Sequence, residues 1–542
     1  MELAHAEFLA TNRFASLYME NEESVKDFFH YDIQDETVFT RRYEDLMKRE
    51  FDRKGIADCI QQYMKKYPAS QAVEESLGKL RQPDSTVVIG GQQAGLLTGP
   101  LYTIYKVISI IVLAKQQEAH LGKPVVPVFW VAGEDHDYLE INHVYAFYHG
   151  QCKKKSYRET VSGKKMASHI EFNTQKMKAW IREVFSHFGD RSHTKEVLSF
   201  LDEAVINTRS FTEFFSYILM HFFKEYGLLL IDSADPQLRV LEKPFFSRIL
   251  DQRQEITDAI LLQQEKKHSS GFASTIEIDR HGSNVFYYHH QERELLEFDP
   301  AENTFVNKTG ELCFTPGELL DLLESHPERF SNNVATRPLM QEWLFPTLAF
   351  IAGPGEISYW GELLSAFEVV DSQMPPIIPR LNMTLLDKRT ESDMEELQLS
   401  IEDVMRNGTA EEKARFLASV QDNEFEAMIA EAKMELEKRY EVITEKVGEM
   451  DRGHVALAQT NLQMHVRQLE FLQRKVEDSI KRKHEAILEK YDRIEHVILP
   501  EGQPQERIWN IFYFINEYSM KFIDDLLTLP YKFDGRHQII KL

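Results

Sequence analysis

The segment from Thr86 to Asp137 constrains the fold of this 542-residue chain more than any other. A short β-branched run, Thr86-Val87-Val88-Ile89, leads into the turn-rich stretch Gly90-Gly91-Gln92-Gln93-Ala94-Gly95-Leu96-Leu97-Thr98-Gly99-Pro100. A helix is predicted from Leu101 to about Gln117, with Pro100 at its start, where no N–H donor is needed. A second strand then runs from Val125 to Ala132 and stops at Gly133-Glu134-Asp135-His136-Asp137. Both strands are continuously apolar instead of alternating, so both of their faces must be covered. Strand–helix–strand with that texture is the βαβ unit of a parallel sheet. The alternation resumes downstream. A helix at Phe211–Tyr226 precedes a strand at Leu228–Asp232. Another at Leu339–Phe345 precedes a strand at Thr347–Ala352, which ends in Gly353-Pro354-Gly355-Glu356. The expected class is α/β, with a Rossmann-like parallel-sheet core.

Around that core the texture changes several times. Residues 1–145 hold the first part of the core and open on helices with acidic and basic faces, such as Glu44 to Lys66. The core continues at 201–260 and 319–385. Between these parts lie 146–200 and 261–318, richer in short alternating runs such as Asn284-Val285-Phe286-Tyr287-Tyr288, which read as two insertions with β-hairpin content. Residues 386–500 are different again, with no glycine or proline between Thr409 and Val447. Apolar residues recur at Phe425, Ile429, Ala432, Leu436, Ile443 and Val447, and after the Gly448–Gly453 turn at Leu462, Val466, Leu469, Val476, Ile480, Ile487, Ile494 and Ile498. Spacings of three, four and seven specify two long helices in an antiparallel coiled-coil hairpin. Arms of ~45 residues would extend roughly 68 Å. Phe471 and Leu472 beside Leu469, and Ala486 and Leu488 beside Ile487, widen the apolar strip beyond one internal seam. Monomers rarely expose such a strip, so a homodimer through the hairpin is expected. The closing segment, 501–542, contains Arg507-Ile508-Trp509-Asn510-Ile511-Phe512-Tyr513-Phe514 and is expected to pack back on the core.

Composition limits the function classes. With 63 lysines and arginines against 87 acids the net charge is −24, which opposes a nucleic-acid partner while leaving room for a small charged substrate. The basic cluster Lys153, Lys154, Lys155, Arg158, Lys164 and Lys165 reads as a solvated face. Apolar runs such as Val107 to Ala114 fall far short of the roughly 18 residues of a membrane span. The early Glu2 and the lack of a basic leader give no secretory signal. Cys59, Cys152 and Cys313 lie far apart and form no CxxC pair, as expected of a reduced, cytoplasmic protein.

Three strand ends could carry chemistry, since ligands of open parallel sheets bind outside the carboxyl ends of the strands where strand order reverses. At the first, Gly90, Gly91, Gly95 and Gly99 allow close backbone approach, the Leu101 helix offers its N-terminus to an anion, and Gln92, Gln93, Thr98, Tyr102 and Lys106 add side-chain donors. The second is Glu134-Asp135-His136-Asp137, with Glu140 and His143 beyond; these groups could orient an amine or act as a general base. His136 and His143 lack the HExxH spacing, and no metal is expected. The third combines Arg337, Gln341, Glu356 and Tyr359 with Arg380 and Asn382 of Pro379-Arg380-Leu381-Asn382, the arginines offering planar forks for carboxylates.

The whole chain resembles the bacillithiol biosynthesis cysteine-adding enzyme family, BshC. The resemblance is carried by GQQAGLLTGPLYTIYK (Gly91–Lys106), FWVAGEDHDYLEINH (Phe129–His143), RPLMQEWLFPTLAFIAGPGEISYW (Arg337–Trp360) and QERIWNIFYFINEY (Gln505–Tyr518). It implies a Rossmann-like core, two inserted connective regions and a dimerising coiled coil. It also implies that L-cysteine is joined through an amide bond to the amine of glucosaminyl-malate. In that reading Arg337, Arg380 and the Leu101 helix hold the malate carboxylates or an activating phosphate. Asp135, His136 and Asp137 take the proton of the sugar ammonium, and Glu356 and Tyr359 position cysteine or sugar hydroxyls. The core is also similar to class I aminoacyl-tRNA synthetases, yet GQQAGLLTG stands where their HIGH motif would be without a histidine, and no KMSKS-like lysine loop follows the last core strand. The activating cosubstrate stays open, ATP or another nucleotide. The competing readings are a synthetase-like aminoacyl transferase acting on RNA and a non-catalytic coiled-coil scaffold.

Overall fold

A computed structural model describes residues 1–7, 12–148, 151–159 and 163–542, apart from the side chains of Tyr148 and Gln151. The chain forms two compact units, Met1–Leu385 with Gln505–Leu542, and Leu386–Pro504. The first is built on a five-stranded parallel sheet. Its elements are β1 (Thr86–Gln92), α1 (Leu101–Leu121), β2 (Val125–Val131), β3 (Leu229–Asp232), α2 (Thr336–Leu344), β4 (Thr347–Ala352), α3 (Pro354–Trp360) and β5 (Ile377–Pro379). The strands lie in the order β3-β2-β1-β4-β5, all parallel. Strand order therefore reverses between β1 and β4. Every residue of β2 and β4 is buried, as continuous apolar strands require when both faces are covered. Helix α1 packs on β1 and β2, while Arg53–Met64 packs on β3, Gln71–Leu80 on β2 and Val38–Leu46 on β4. The parallel sheet matches the α/β, Rossmann-like expectation.

Three further sheets complete this unit. A hairpin, His143–Tyr148 with Gln151–Ser156, carries Lys153, Lys154 and Lys155 and precedes helices Thr174–Phe188 and Thr194–Ile206. An antiparallel sheet of five strands is centred on Gly282–His289 and Glu292–Asp299, joined through His290 and Gln291, both at positive φ. Strand His537–Lys541 pairs antiparallel with Glu2–Ala6, Glu2 opposite Lys541, and lies beside Met383–Leu386.

The second unit is helical. Its long elements are α4 (Asn423–Met450) and α5 (Val455–Lys483), turned back on each other through Arg452–His454, with Lys433 and Glu426 both bonded to Gln473 across them. The arms are shorter than expected. Lys388–Leu397, Ile401–Asn407 and Ala410–Val420 are separate helices before α4. Gln398 at φ 55 and Gly408 at φ 71 end the first two, and Ser400 and Asp422 cap the helices that follow. At about 1.5 Å per residue α4 spans roughly 42 Å rather than the longer reach expected. Among the described residues no helix is long and apolar enough to cross a membrane.

Candidate active site

The β1 strand runs out at Gln92 into a loop that the fold both needs and restrains. A Cβ on Gly91 would stand 2.9 Å from the Trp130 carbonyl oxygen, so the close β1–β2 approach there demands glycine. Beyond it, Leu97, Thr98 and Gly99 all have positive φ, an uncommon run for residues with side chains. Asn510 holds this conformation: its Nδ2 donates to Leu97 O at 2.8 Å and to Gly99 O at 2.7 Å. The first N–H of α1, on Leu101, donates to Trp509 O at 2.9 Å. The helix N-terminus is thus tied to the C-terminal segment.

The first turns of α1 do face a cleft of about 360 Å³ at the carboxyl ends of β1 and β4, where strand order reverses. Tyr102 and Lys106, four residues apart, stand in its wall with Gly91, Gln92 and Gln93. Lys106 is 2% exposed and donates to Gly91 O at 2.8 Å and to Glu356 Oε2 at 2.5 Å. Burial pushes its ammonium below the usual lysine range against the pull of Glu356. The same Glu356 oxygen accepts the Gly353 N–H at 2.7 Å, which caps α3.

From β2 the chain turns at Gly133 and delivers Glu134 and Asp135 into a buried charge network. Fully buried Glu134 pairs with Arg239 at 2.5 Å and with Arg337 Nε at 2.9 Å, and Arg239 pairs onward with Glu242 at 2.5 Å. Asp135 accepts from Arg337 and lies 3.9 Å from Arg293, which the antiparallel sheet brings in. Burial alone would raise the Asp135 carboxyl, but Arg337 and then Arg293 outweigh it and hold the group below the usual range. Asp135 is a permanent anion and a weak base. Glu140 also lines the cleft at its exposed rim, where partial desolvation, and after it the nearby Asp137, pushes the carboxyl up.

The remaining wall comes from α2, α3 and the end of β5. Arg337 and Gln341 sit one turn apart on α2, and Glu356 and Tyr359 on α3. Burial, then Glu356, keeps the Tyr359 phenol well above its usual range, so it serves as a donor. Arg380 follows β5, its backbone N–H bonded to Ala352 O at 2.8 Å and its guanidinium 5.5 Å from the Tyr102 ring. Arg507, from the C-terminal segment, completes the lining.

The cleft therefore gathers Gln92, Gln93, Tyr102, Asp135, Arg337, Gln341, Glu356, Tyr359 and Arg380 from the expected set. Five expected residues stand outside its lining. Thr98 and Gly99 are drawn into the loop that Asn510 clamps. His136 turns toward Phe286, with Arg293 at 3.4 Å from its Nδ1, where burial and that arginine lower its pKa. Asp137 is exposed, and Asn382 sits behind Arg380 as an acceptor for its Nη2. Arg337 is no open fork either, because Glu134 and Asp135 engage it. Sequence reasoning missed Arg239, Arg293 and Arg507. Only Arg507 carried a signal, the polar triplet Gln505-Glu506-Arg507 ahead of an aromatic run.

The comparisons agree along the whole chain. Residues 1–381 match the family model "Bacillithiol biosynthesis BshC, N-terminal Rossmann-like domain", and residues 383–542 match "Bacillithiol biosynthesis BshC, C-terminal coiled-coil domain". Proteins named "Putative cysteine ligase BshC" from Geobacillus kaustophilus and Bacillus velezensis are each 41% identical over the full length of both chains. One of the same name from Geobacillus thermodenitrificans is 40% identical, again end to end. With the parallel sheet, the helical second unit and identity at this level over all of its length, the chain belongs to the BshC family.

Proposed function

We propose that the protein is a cytoplasmic, homodimeric enzyme of bacillithiol biosynthesis that joins L-cysteine through an amide bond to the amine of glucosaminyl-malate. The observation that carries this reading is the polarity of the cleft, where Asp135 and Glu140 share the wall with Arg380 and Arg507. Glucosaminyl-malate bears one ammonium and two carboxylates, and such a substrate needs both kinds of partner. The relatives' name, cysteine ligase, supplies the other reactant.

A protonated amine is no nucleophile, so the reaction needs a base whose affinity for protons approaches that of the medium. Glu140, on the exposed rim of the cleft, has its proton affinity raised by partial desolvation and by Asp137 and is the base in that step, whereas Asp135, held ionised, suits holding the ammonium in place. The amine lone pair attacks the carbonyl carbon of an activated cysteinyl group. Glu140, having taken the first ammonium proton and released it to solvent, is free again: the C–N bond forms, the activating group leaves with its bonding pair, and the second nitrogen proton passes to Glu140. Lys106 commits two of its three N–H bonds to Gly91 and Glu356, and the third is suited to the carbonyl oxygen as it gains charge. The dimer is supported by the exposed apolar stripe Leu457, Met464 and Phe471 on α5, spaced by seven.

Deleting the gene in its host should abolish bacillithiol and accumulate glucosaminyl-malate in a thiol and metabolite profile. Wild-type protein should restore the thiol and Glu140→Gln should restore about 1% or less of it, as expected for the loss of a general base. Unchanged bacillithiol in the deletion strain would sink the proposal, and full rescue by Glu140→Gln would sink the role of Glu140.

A further inference from the structure

Resting on that reading of the cleft, we infer that Glu506 is the positioning residue that sets Arg380 for a substrate carboxylate. The neighbouring Arg507 is a second binding cation delivered by the same segment. Arg380 and Glu506 are 5% and 6% exposed. Arg380 Nη2 donates to Glu506 Oε1 at 2.6 Å and to Asn382 Oδ1 at 3.1 Å. Glu506 Oε2 accepts the Met383 N–H at 3.3 Å, so both oxygens of the carboxylate are engaged and it cannot swing away. Arg380 Nη1 is buried and has no hydrogen-bond partner among the described residues, although the side chain stands in the cleft wall. A guanidinium nitrogen in that condition carries an unmet desolvation cost, and a planar carboxylate is the acceptor that fits it.

The charge balance divides the work. Paired with Glu506, Arg380 contributes directed hydrogen bonds but little net charge. Arg507 is exposed at the same cleft and has no ion-pair partner among the described residues, so it supplies the uncompensated positive charge. One malate carboxylate meets Arg380 and the other meets Arg507. The segment that bears both residues is fixed on either side. Gln505 exchanges two 2.8 Å bonds with the Leu385 backbone, and Trp509 O accepts from Leu101.

The test is calorimetric titration of the full-length protein with glucosaminyl-malate, its dimethyl ester and free L-malate. Glu506→Ala should weaken glucosaminyl-malate binding about tenfold or more, the scale of one charge-assisted hydrogen bond. Glu506→Gln keeps an acceptor oxygen for Nη2 and should stay within about threefold of wild type. Arg507→Gln should weaken binding about fivefold and flatten its salt dependence. The dimethyl ester, which lacks both anions, should bind weakly and equally to every variant. Wild-type affinity in Glu506→Ala, an equal loss in Glu506→Gln, an unchanged Arg507→Gln, or losses that extend to the ester would each overturn the inference. Wild-type protein that binds L-malate with this variant pattern but not glucosaminyl-malate overturns only the substrate reading. Protein that binds neither overturns both.

Discussion

Among single residues, Asp232 at the end of β3 shows how far this core drives a carboxyl from its usual behaviour. It is buried, and it accepts Ser168 Oγ at 2.5 Å and the Ala234 N–H at 2.9 Å, yet burial still lifts its pKa to about 6. The folded state therefore holds this proton more tightly than the unfolded chain, whose value lies near 3.8. Stability from this group is complete below about pH 4 and is lost as pH rises through about 6, amounting to roughly 2–3 kcal/mol. Asp232→Asn is neutral throughout. Relative to wild type it should gain by that amount between pH 4 and 6 and stay level above, as urea denaturation at several pH values will read; parallel curves would refute it. Asp232 also explains Gly133, where a Cβ would stand 2.1 Å from its Oδ1. The sequence showed a glycine at a strand end but not its obstacle, because Ser168 and Asp232 reach it only through the tertiary fold. Asp135 was legible as a site acid for the opposite reason: an acid at the end of an apolar strand has few other uses. Of its two arginine partners Arg337 was legible and Arg293 was hidden, as was Arg239 beside Glu134, since these two lie on a strand and a helix with no mark to separate them from surface residues.

At the scale of elements, apolar continuity located β2, β3 and β4 to within a residue, because burial on both faces leaves no choice of residue type, whereas β1 runs three residues past the expected Ile89, through two glycines to Gln92. Helix ends were less legible. Helix α2 begins at Thr336, ahead of the expected Leu339, because Asn333 Oδ1 accepts the N–H groups of Ala335 and Thr336 and starts the turn before apolar periodicity does. In the first arm of the helical unit one break is a glycine stop at Gly408, while the helices at Ile401 and Asn423 start on the polar caps Ser400 and Asp422, which a search for glycine and proline passes over. The loop from Gln93 to Pro100 adds a further lesson. Its conformation depends on Asn510, which also caps Ile511–Tyr518 by accepting the Phe512 N–H at 2.9 Å. Asn510→Ala leaves two buried carbonyls without donors and one helix uncapped, and should cost roughly 2–4 kcal/mol in urea denaturation. A loss below about 0.5 kcal/mol would show that the loop holds its shape unaided.

For the molecule as a whole, the heptad pattern foretold an apolar surface on the helical unit and named Phe471 and Leu472 in it, both of them exposed, but not Leu457 or Met464. Ile480 and Ile487 are half-buried within that unit, while Leu457, Met464 and Phe471 are 64%, 58% and 50% exposed. The double substitution Met464→Asp and Phe471→Asp should therefore convert a dimer into a folded monomer by light scattering with unchanged helix content. A variant that stays dimeric would move the interface elsewhere. The remaining consequence concerns time. The strand that pairs with Glu2–Ala6, the clamp on the glycine loop and Arg507 of the cleft lining all belong to Gln505–Leu542. A ribosome making this protein finishes β5 and must then thread Leu386–Pro504 before any of them emerges. At about 5–20 residues per second that interval is on the order of ten seconds. Throughout it the nascent sheet waits with an unpaired N-terminal strand and an unclamped loop, so the half-made chain is a natural client for chaperones and the cleft is the last part of the enzyme to exist.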